Sequence, residues 1–213
     1  MSSALSGLGL LEGTRALDYV NLQGLSTLTG CSTSQLDVLL LKELIDNGLD
    51  ASKGSKPSLQ VELNTVDDLL HMKVSDNGVG LSLLDIERIS DFEKHFSSKF
   101  FDKLPTRGAL GCATKVIAAA PHALARVSGV SFSGPPVIIR SGSFEFNVDL
   151  LINEFNETVE AVTEVGEADF DINGTEVSVT LPVYEERWGW KGEYVNLLHG
   201  YALLTRRSIC AYR

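Results

Sequence analysis

Apolar residues recur at helical spacing between residues 35 and 52. Leu40, Leu41, Leu44, Ile45 and Leu49 fall on one side of a 3.6-residue period, and Glu43, Asp46, Asn47 and Asp50 on the other. The pattern predicts the strongest helix of the chain over 35–52, with Ser34 as N-cap and Asp37 three residues on as a capping-box analogue. "SLQVEL" (58–63) alternates as a strand does, "LLHMKVSD" (69–76) reads as a second strand, and residues 64–68 form the turn between them. "DNGVG" (76–80) is a turn by composition, and Ser82 caps a short helix over 83–90. Residues 91–109 mix aromatics, charges, Pro105 and Gly108, and read as a long loop with partial helix. "ALGCATKVIAAA" (109–120) is small, apolar and helical, and the pattern stops it at Pro121.

Beyond Pro121 the period changes from helix to strand. "ARVSGVSF", "PVIIRS", "SFEFNVDL", "ETVEAVTEV" and "TEVSVTLP" read as strands, "WGWKGEYVNLLHGYALL" as a helix and "SICAYR" as a last strand. Residues 1–34 are rich in Ser, Gly, Thr and Leu with weak periodicity, and read as an N-terminal arm with a short helix near 15–22. No repeat, low-complexity tract or linker interrupts the rest, so 35–213 reads as a single α/β domain.

Composition narrows the function class. The chain has 213 residues, 44% of them hydrophobic, enough for a substantial core. A net charge of −10 argues against gripping nucleic acid through its own surface. Cys31, Cys112 and Cys210 are widely spaced with no C-x-x-C pair, which fits a reducing compartment. The first residues lack a basic start, and no apolar run reaches bilayer length. The expectation is a cytoplasmic protein without a membrane partner. His71, His95, His122 and His199 have no metal-ligand spacing; His71 reads as structural, and Trp188 and Trp190 as packing against the sheet.

Four stretches carry candidate chemistry. Glu43, Asp46, Asn47 and Asp50 lie within an arc of about 100°. That face is either solvated or a ligand floor. "SDNGVG" puts an Asp at a strand end before Gly-x-Gly. It is either a hairpin turn, or a carboxylate placed for an exocyclic amine with backbone that approaches closely. "SSKFFDKLPTRGALGCATK" places Gly108 and Gly111 before a helix start, with Arg107, Lys115 and Ser97-Ser98-Lys99 near. Free N–H groups at a helix start favour a phosphate chain; a plain flexible loop is the alternative. "NGTEVSVTLP" opens a late strand on Gly-Thr.

Together and in this order the four stretches resemble the GHKL ATPases, which include the B subunit of gyrase, MutL, a heat-shock chaperone and the histidine kinases. The family pattern is a helical Glu-x-x-x-Asn, then Asp-x-Gly-x-Gly, a glycine-containing lid and a Gly-Thr strand. Here these are Glu43 to Asn47, Asp76 to Gly80, Gly108 to Gly111, and Gly174-Thr175. "SSKF" followed by "TRGALG", with "ELIDNGLDAS", is most similar to the ATPase domain in the B subunit of topoisomerase VI.

The resemblance implies a Bergerat fold, an α/β (α+β) sandwich with helices on one face of a mixed, mostly antiparallel sheet. It implies ATP and Mg²⁺ as ligands. Glu43 would be the general base, Asn47 the Mg²⁺ ligand, and Asp50 and Ala51 the pocket wall by base and sugar. Asp76 would read the adenine amine, Gly78 and Gly80 would make room for the base, and Thr175 would join the network around Asp76. Ser98, Lys99, Gly108, Ala109, Leu110, Gly111, Cys112, Ala113 and Lys115 would wrap or neutralise the phosphates. It further implies ATP-dependent homodimerisation, a DNA-cleaving partner subunit, DNA contact through other domains, and that this domain is part of a longer protein. Two departures bear on activity. Ala113 stands where the family's lid usually has a glycine, and the transducer that supplies a lysine to the γ-phosphate is not in this chain. The competing readings are a MutL- or MORC-like ATPase, and a nucleotide-binding scaffold that does not hydrolyse.

Overall fold

The computed structural model describes residues 16–52, 56–89, 92, 113–183, 191–205 and 208–212. Among them the chain runs α1 (Ala16–Tyr19), α2 (Leu22–Thr29), a 3₁₀ turn (Thr33–Gln35), α3 (Leu36–Ala51), β1 (Ser58–Val66), β2 (Leu69–Asp76), α4 (Leu83–Ile89), α5 (Ala113–Ser128), β3 (Val137–Asn153), β4 (Thr158–Pro182), α6 (Lys191–Thr205) and β5 (Ser208–Tyr212). The strands form one sheet in the order β3-β4-β2-β1-β5. Every pairing is antiparallel except β1 with β5, which is parallel. This is the mixed, mostly antiparallel sheet that the resemblance implies.

Alternation builds the two faces. Leu70, Met72 and Val74 of β2 are buried, while His71 is exposed and Lys73 pairs with Glu62 of β1 at 2.9 Å. The register carries the apolar row across the sheet, Met72 beside Val179 and Val179 beside Val137. Leu40, Leu41, Leu44 and Ile45 of α3 and Ala119, Ala120, Ala123 and Leu124 of α5 join these residues in one core. A period-2 apolar face meeting period-3.6 apolar stripes is the layered arrangement that buries both.

Several local expectations change. Ser34 does not cap α3: a 3₁₀ turn intervenes, α3 starts at Leu36 after Gln35, and no side chain caps it. Asp37 instead accepts a hydrogen bond from Tyr194 of α6. From Ala16 on, the segment read as an arm forms two helices, and Ala16, Tyr19, Val20 and Leu25 join the core. Pro121 does not stop α5, which runs on to Ser128. The proline removes one N–H, but burial of Pro121, Ala123 and Leu124 offsets that loss. "ARVSGVSF" is therefore the end of α5 and a loop rather than a strand. His71 is exposed, with Nδ1 3.1 Å from Thr180 Oγ1. The β1–β2 turn is tighter than read: only Asp67 (φ 49°) and Asp68 (φ 60°) lie between the strands, the left-handed pair of a type I′ hairpin. Ser82 does cap α4, exchanging hydrogen bonds with Asp85. Trp188 and Trp190 lie outside the described residues.

Four of the segments read as separate strands merge into two long ones. β2 pairs with β4 only over 176–182. Beyond it, 144–153 and 158–167 continue as a two-stranded ribbon after a register break at Gly142 (φ 57°), where residues 168–171 of β4 are extra. Phe146, Val148, Leu150 and Val159 are buried in the ribbon, which packs against α5. Residues 141–182 carry ten Asp or Glu and no Lys, Arg or His, equal to the net −10 of the whole chain. Cross-strand like charges repel until salt screens them, with a Debye length of about 10 Å at 0.1 M and about 3 Å at 1 M. Thermal melts in rising NaCl are expected to show a rising midpoint. A flat response would mean that neighbours such as Arg140, which meets Glu145 at 2.7 Å and Glu176 at 3.0 Å, already neutralise the ribbon.

Candidate functional site

The helix-facing row of the sheet turns polar at one end. The sequence of inward positions Leu70, Met72, Val74 ends in Asp76; Leu181, Val179, Val177 ends in Thr175; Val137, Ile139 ends in Ser141. Thr175 and Ser141 are buried, with Ser141 opposite Thr175, and Asp76 is half-buried. Three polar side chains thus replace an apolar row just where α3 passes over it.

Glycines let the backbones meet there. A Cβ on Gly48 would lie 2.6 Å from Leu59 Cδ2 and 3.2 Å from Asp76 Cβ, so the missing side chain at residue 48 lets α3 pack closely on the end of β2. A Cβ on Gly78 would lie 2.7 Å from the Cβ and backbone of Ala51, and one on Gly174 (φ 104°) 2.0 Å from the Asp76 carbonyl oxygen. Gly80 (φ 79°) abuts Ser141 Oγ, which accepts from Leu81 N at 2.8 Å and donates to the Gly174 carbonyl at 3.0 Å. Asn77 completes the junction: Oδ1 accepts from Ser58 N (2.9 Å) and Ser52 Oγ (3.2 Å), and Nδ2 donates to the Lys56 carbonyl (3.0 Å).

Asp76 is the electrostatic centre of this junction. Its Oδ1 accepts from Gly78 N at 2.7 Å. Burial pushes its pKa above the ordinary carboxylate value, and the Gly78 and Thr175 backbone N–H groups oppose that shift. Folded Asp76 therefore holds a proton more readily than unfolded Asp76. Its contribution favours the fold below the unfolded value of 3.8 and is lost as pH rises through the raised value. A carboxylate kept half-buried with few internal donors is suited to accept from an amine or water delivered by a ligand.

On α3, Glu43 and Asn47 stand one turn apart, both half-buried. Lys42 Nζ donates to Glu43 Oε1 at 2.7 Å and to Asp46 Oδ2 at 3.0 Å. Asp46 does not join an open acidic floor. It is 3% exposed, and its Oδ1 accepts from Tyr201 Oη of α6 at 2.6 Å. Asp50 and Ala51 are half-buried at the C-terminal end of α3, Ala51 against Gly78. Ala113 is the first residue of α5 and is not left-handed, so its Cβ brings no backbone strain. Lys115, two residues on, is 1% exposed within α5. Ser98, Lys99, Gly108, Ala109, Leu110, Gly111 and Cys112 lie outside the described residues.

The structure brings together Asp76, Gly78, Gly80, Ala51 and Thr175, with Glu43 and Asn47 on the helix above. Gly48, Asn77 and Ser141 belong to the same junction; Gly48 and Ser141 escaped the sequence reading, and Asn77 was read only as part of a turn. Gly48 had a signal, since a glycine inside a helix is costly without a packing reason. Ser141 had a weaker one, a polar residue at an inward strand position. Among the described residues no group of three His, Cys, Asp or Glu could hold a metal, and no helix is long and apolar enough to cross a membrane.

Residues 34–134 match the family described as histidine kinase-, DNA gyrase B-, and HSP90-like ATPase. Over 149 residues, 65% of this chain, it is 32% identical to the B subunit of type 2 DNA topoisomerase 6 from two strains of Halobacterium salinarum. The chain spans 17% of the length of those relatives.

Proposed function

We propose that this chain binds Mg-ATP at the α3–β2–β4 junction and hydrolyses it, since residues 34–134 match the histidine kinase-, DNA gyrase B-, and HSP90-like ATPase family. The observation that carries the reading is the glycine-lined cradle around Asp76. Gly48, Gly78 and Gly174 let α3, the turn after β2 and the start of the Thr175 strand close around a half-buried carboxylate: a Cβ on Gly78 would lie 2.7 Å from the Ala51 backbone, and one on Gly174 2.0 Å from the Asp76 carbonyl oxygen.

In this reading Asp76 accepts from the exocyclic amine of adenine, and Thr175 and Ala51 line the base. Mg²⁺, held by Asn47 and the phosphates, would neutralise the charge of the triphosphate. Glu43 acts on water. As the water oxygen bonds to the terminal phosphorus, the bond to the bridging oxygen breaks and ADP keeps that electron pair. The water proton passes to the Glu43 carboxylate. Lys42 occupies Oε1 of Glu43, which leaves Oε2 for this proton. The backbone of Gly108 to Ala113 would wrap the phosphates, with Lys99 or Lys115 as charge partner. The domain is further proposed to close as a nucleotide-gated dimer within a longer protein like the B subunit of topoisomerase VI, alongside a DNA-cleaving subunit.

Calorimetric titration with a non-hydrolysable ATP analogue and Mg²⁺ tests the site. Asp76→Asn keeps an oxygen for Gly78 N and the shape of the turn, but loses the ionised acceptor. Affinity is expected to fall about 10- to 100-fold, as losing a hydrogen bond to a charged group does. For the native chain, affinity is expected to fall as pH is lowered through the raised pKa of Asp76, and this dependence should vanish in Asp76→Asn. Equal binding by both proteins would remove Asp76 from the adenine pocket. Binding with no turnover would favour the scaffold reading over the ATPase.

A further inference from the structure

α6 reaches the proposed catalytic glutamate through a chain of charged hydrogen bonds. Tyr201 Oη donates to Asp46 Oδ1 at 2.6 Å, Lys42 Nζ donates to Asp46 Oδ2 at 3.0 Å, and the same ammonium donates to Glu43 Oε1 at 2.7 Å. Each contact constrains the next. Asp46 is 3% exposed and Tyr201 9%, so the phenol and carboxylate meet away from solvent. A buried carboxylate whose oxygens have fixed donors is held in one orientation. That orientation decides where Oδ2 stands, and Oδ2 together with Glu43 decides where the Lys42 ammonium stands. Lys42 is otherwise a long side chain at a 42% exposed position, with rotamers to spare.

We propose that Tyr201 is a positioning residue for Glu43, acting through Asp46 and Lys42, so that the placement of α6 sets the orientation of the base. The inference rests on the reading of Glu43 as the base. It gives α6, which leads from the sheet's β4 to β5, an influence on hydrolysis without contact with nucleotide. Tyr194 provides the internal comparison. It is also on α6 and also donates to an α3 aspartate, but its partner is Asp37, which lies outside the Lys42–Glu43 pair. A purely structural role for α6 would make the two tyrosines equivalent.

The test uses Tyr201→Phe, Lys42→Ala, their combination, and Tyr194→Phe, in the 213-residue chain. Melting curves first confirm that each variant folds. In Tyr201→Phe, kcat is expected to fall about 3- to 30-fold, the range of coupling through such networks, with analogue affinity unchanged. In the Lys42→Ala background the same substitution should have no further effect. Tyr194→Phe should lower the melting temperature and leave kcat alone. Additive effects, or a loss of affinity in place of kcat, would overturn the proposal. The Lys42 ammonium resonance, followed by ¹⁵N NMR, gives a readout that needs no turnover. It should move in Tyr201→Phe and stay in place in Tyr194→Phe, and an unmoved signal in Tyr201→Phe would overturn the inference by itself. A native chain that fails to hydrolyse ATP, or a Glu43→Gln variant that still does, instead counts against the ATPase reading.

Discussion

Glu43→Gln is expected to leave nucleotide affinity intact and to slow hydrolysis about 10²- to 10⁴-fold, the contribution of a positioned general base. The substitution keeps the length and an oxygen able to accept from Lys42 Nζ, so the 2.7 Å contact has a successor. What disappears is the basic lone pair that takes the water proton. Asp46 stays in place, held by Tyr201 and Lys42, so the helix face should not rearrange. Single-turnover hydrolysis beside calorimetric binding separates the two effects. Unchanged turnover would remove Glu43 from catalysis. A parallel loss of binding would make it part of the nucleotide pocket.

Gly174→Ala is expected to be the most damaging single substitution outside the hydrophobic core. Two independent penalties meet at this residue. Its φ of 104° lies where side chains are strained, and the added Cβ would stand 2.0 Å from the carbonyl oxygen of Asp76, a backbone atom that cannot rotate away. Strain and overpacking each cost about 1–3 kcal/mol, so a loss of about 3 kcal/mol or more is expected in urea denaturation. Relief requires the end of β2 or the backbone at Gly174 to move, and either separates Asp76 from Thr175, so nucleotide binding is expected to fail even where the protein still folds. Gly30→Ala is the reference. Its φ is 67°, but nothing lies within 4 Å of the new Cβ, so only the backbone term of about 1–2 kcal/mol applies. Similar losses at both positions would mean that the Asp76 contact yields easily.

Much of this junction was legible in the sequence because its chemistry is local. Glu43 and Asn47 share a helical face by spacing alone, and Asp76-Asn77-Gly78 declares a turn at a strand end. The sequence does not show which acids of the α3 face look outward. Asp46 falls in the same arc as Glu43 and Asn47, yet Tyr201, 155 residues away, draws it into the interior. Pro121 misled for a related reason. A propensity read along the chain cannot weigh the burial of Ala123 and Leu124 that carries α5 past it. The long strands were cut short because polar residues at Ser141 to Ser143 resemble a turn. They are instead a register break within one strand, beside a buried serine whose hydroxyl serves Leu81 and Gly174.

The distribution of charge on the β3–β4 ribbon makes the molecule an electric dipole. Residues 141–182, the ribbon with its turn and the adjoining part of β4, hold ten acids, and the other 18 of the chain's 28 acids are matched by its 18 Lys and Arg. The rest of the chain is therefore neutral overall, with one negative flank. A nucleic-acid duplex, with one phosphate charge per ~1.7 Å of axis, is turned away from that flank. The field thus orients the domain before any contact forms: polyanions are turned from this flank, and cationic surfaces meet the ribbon first.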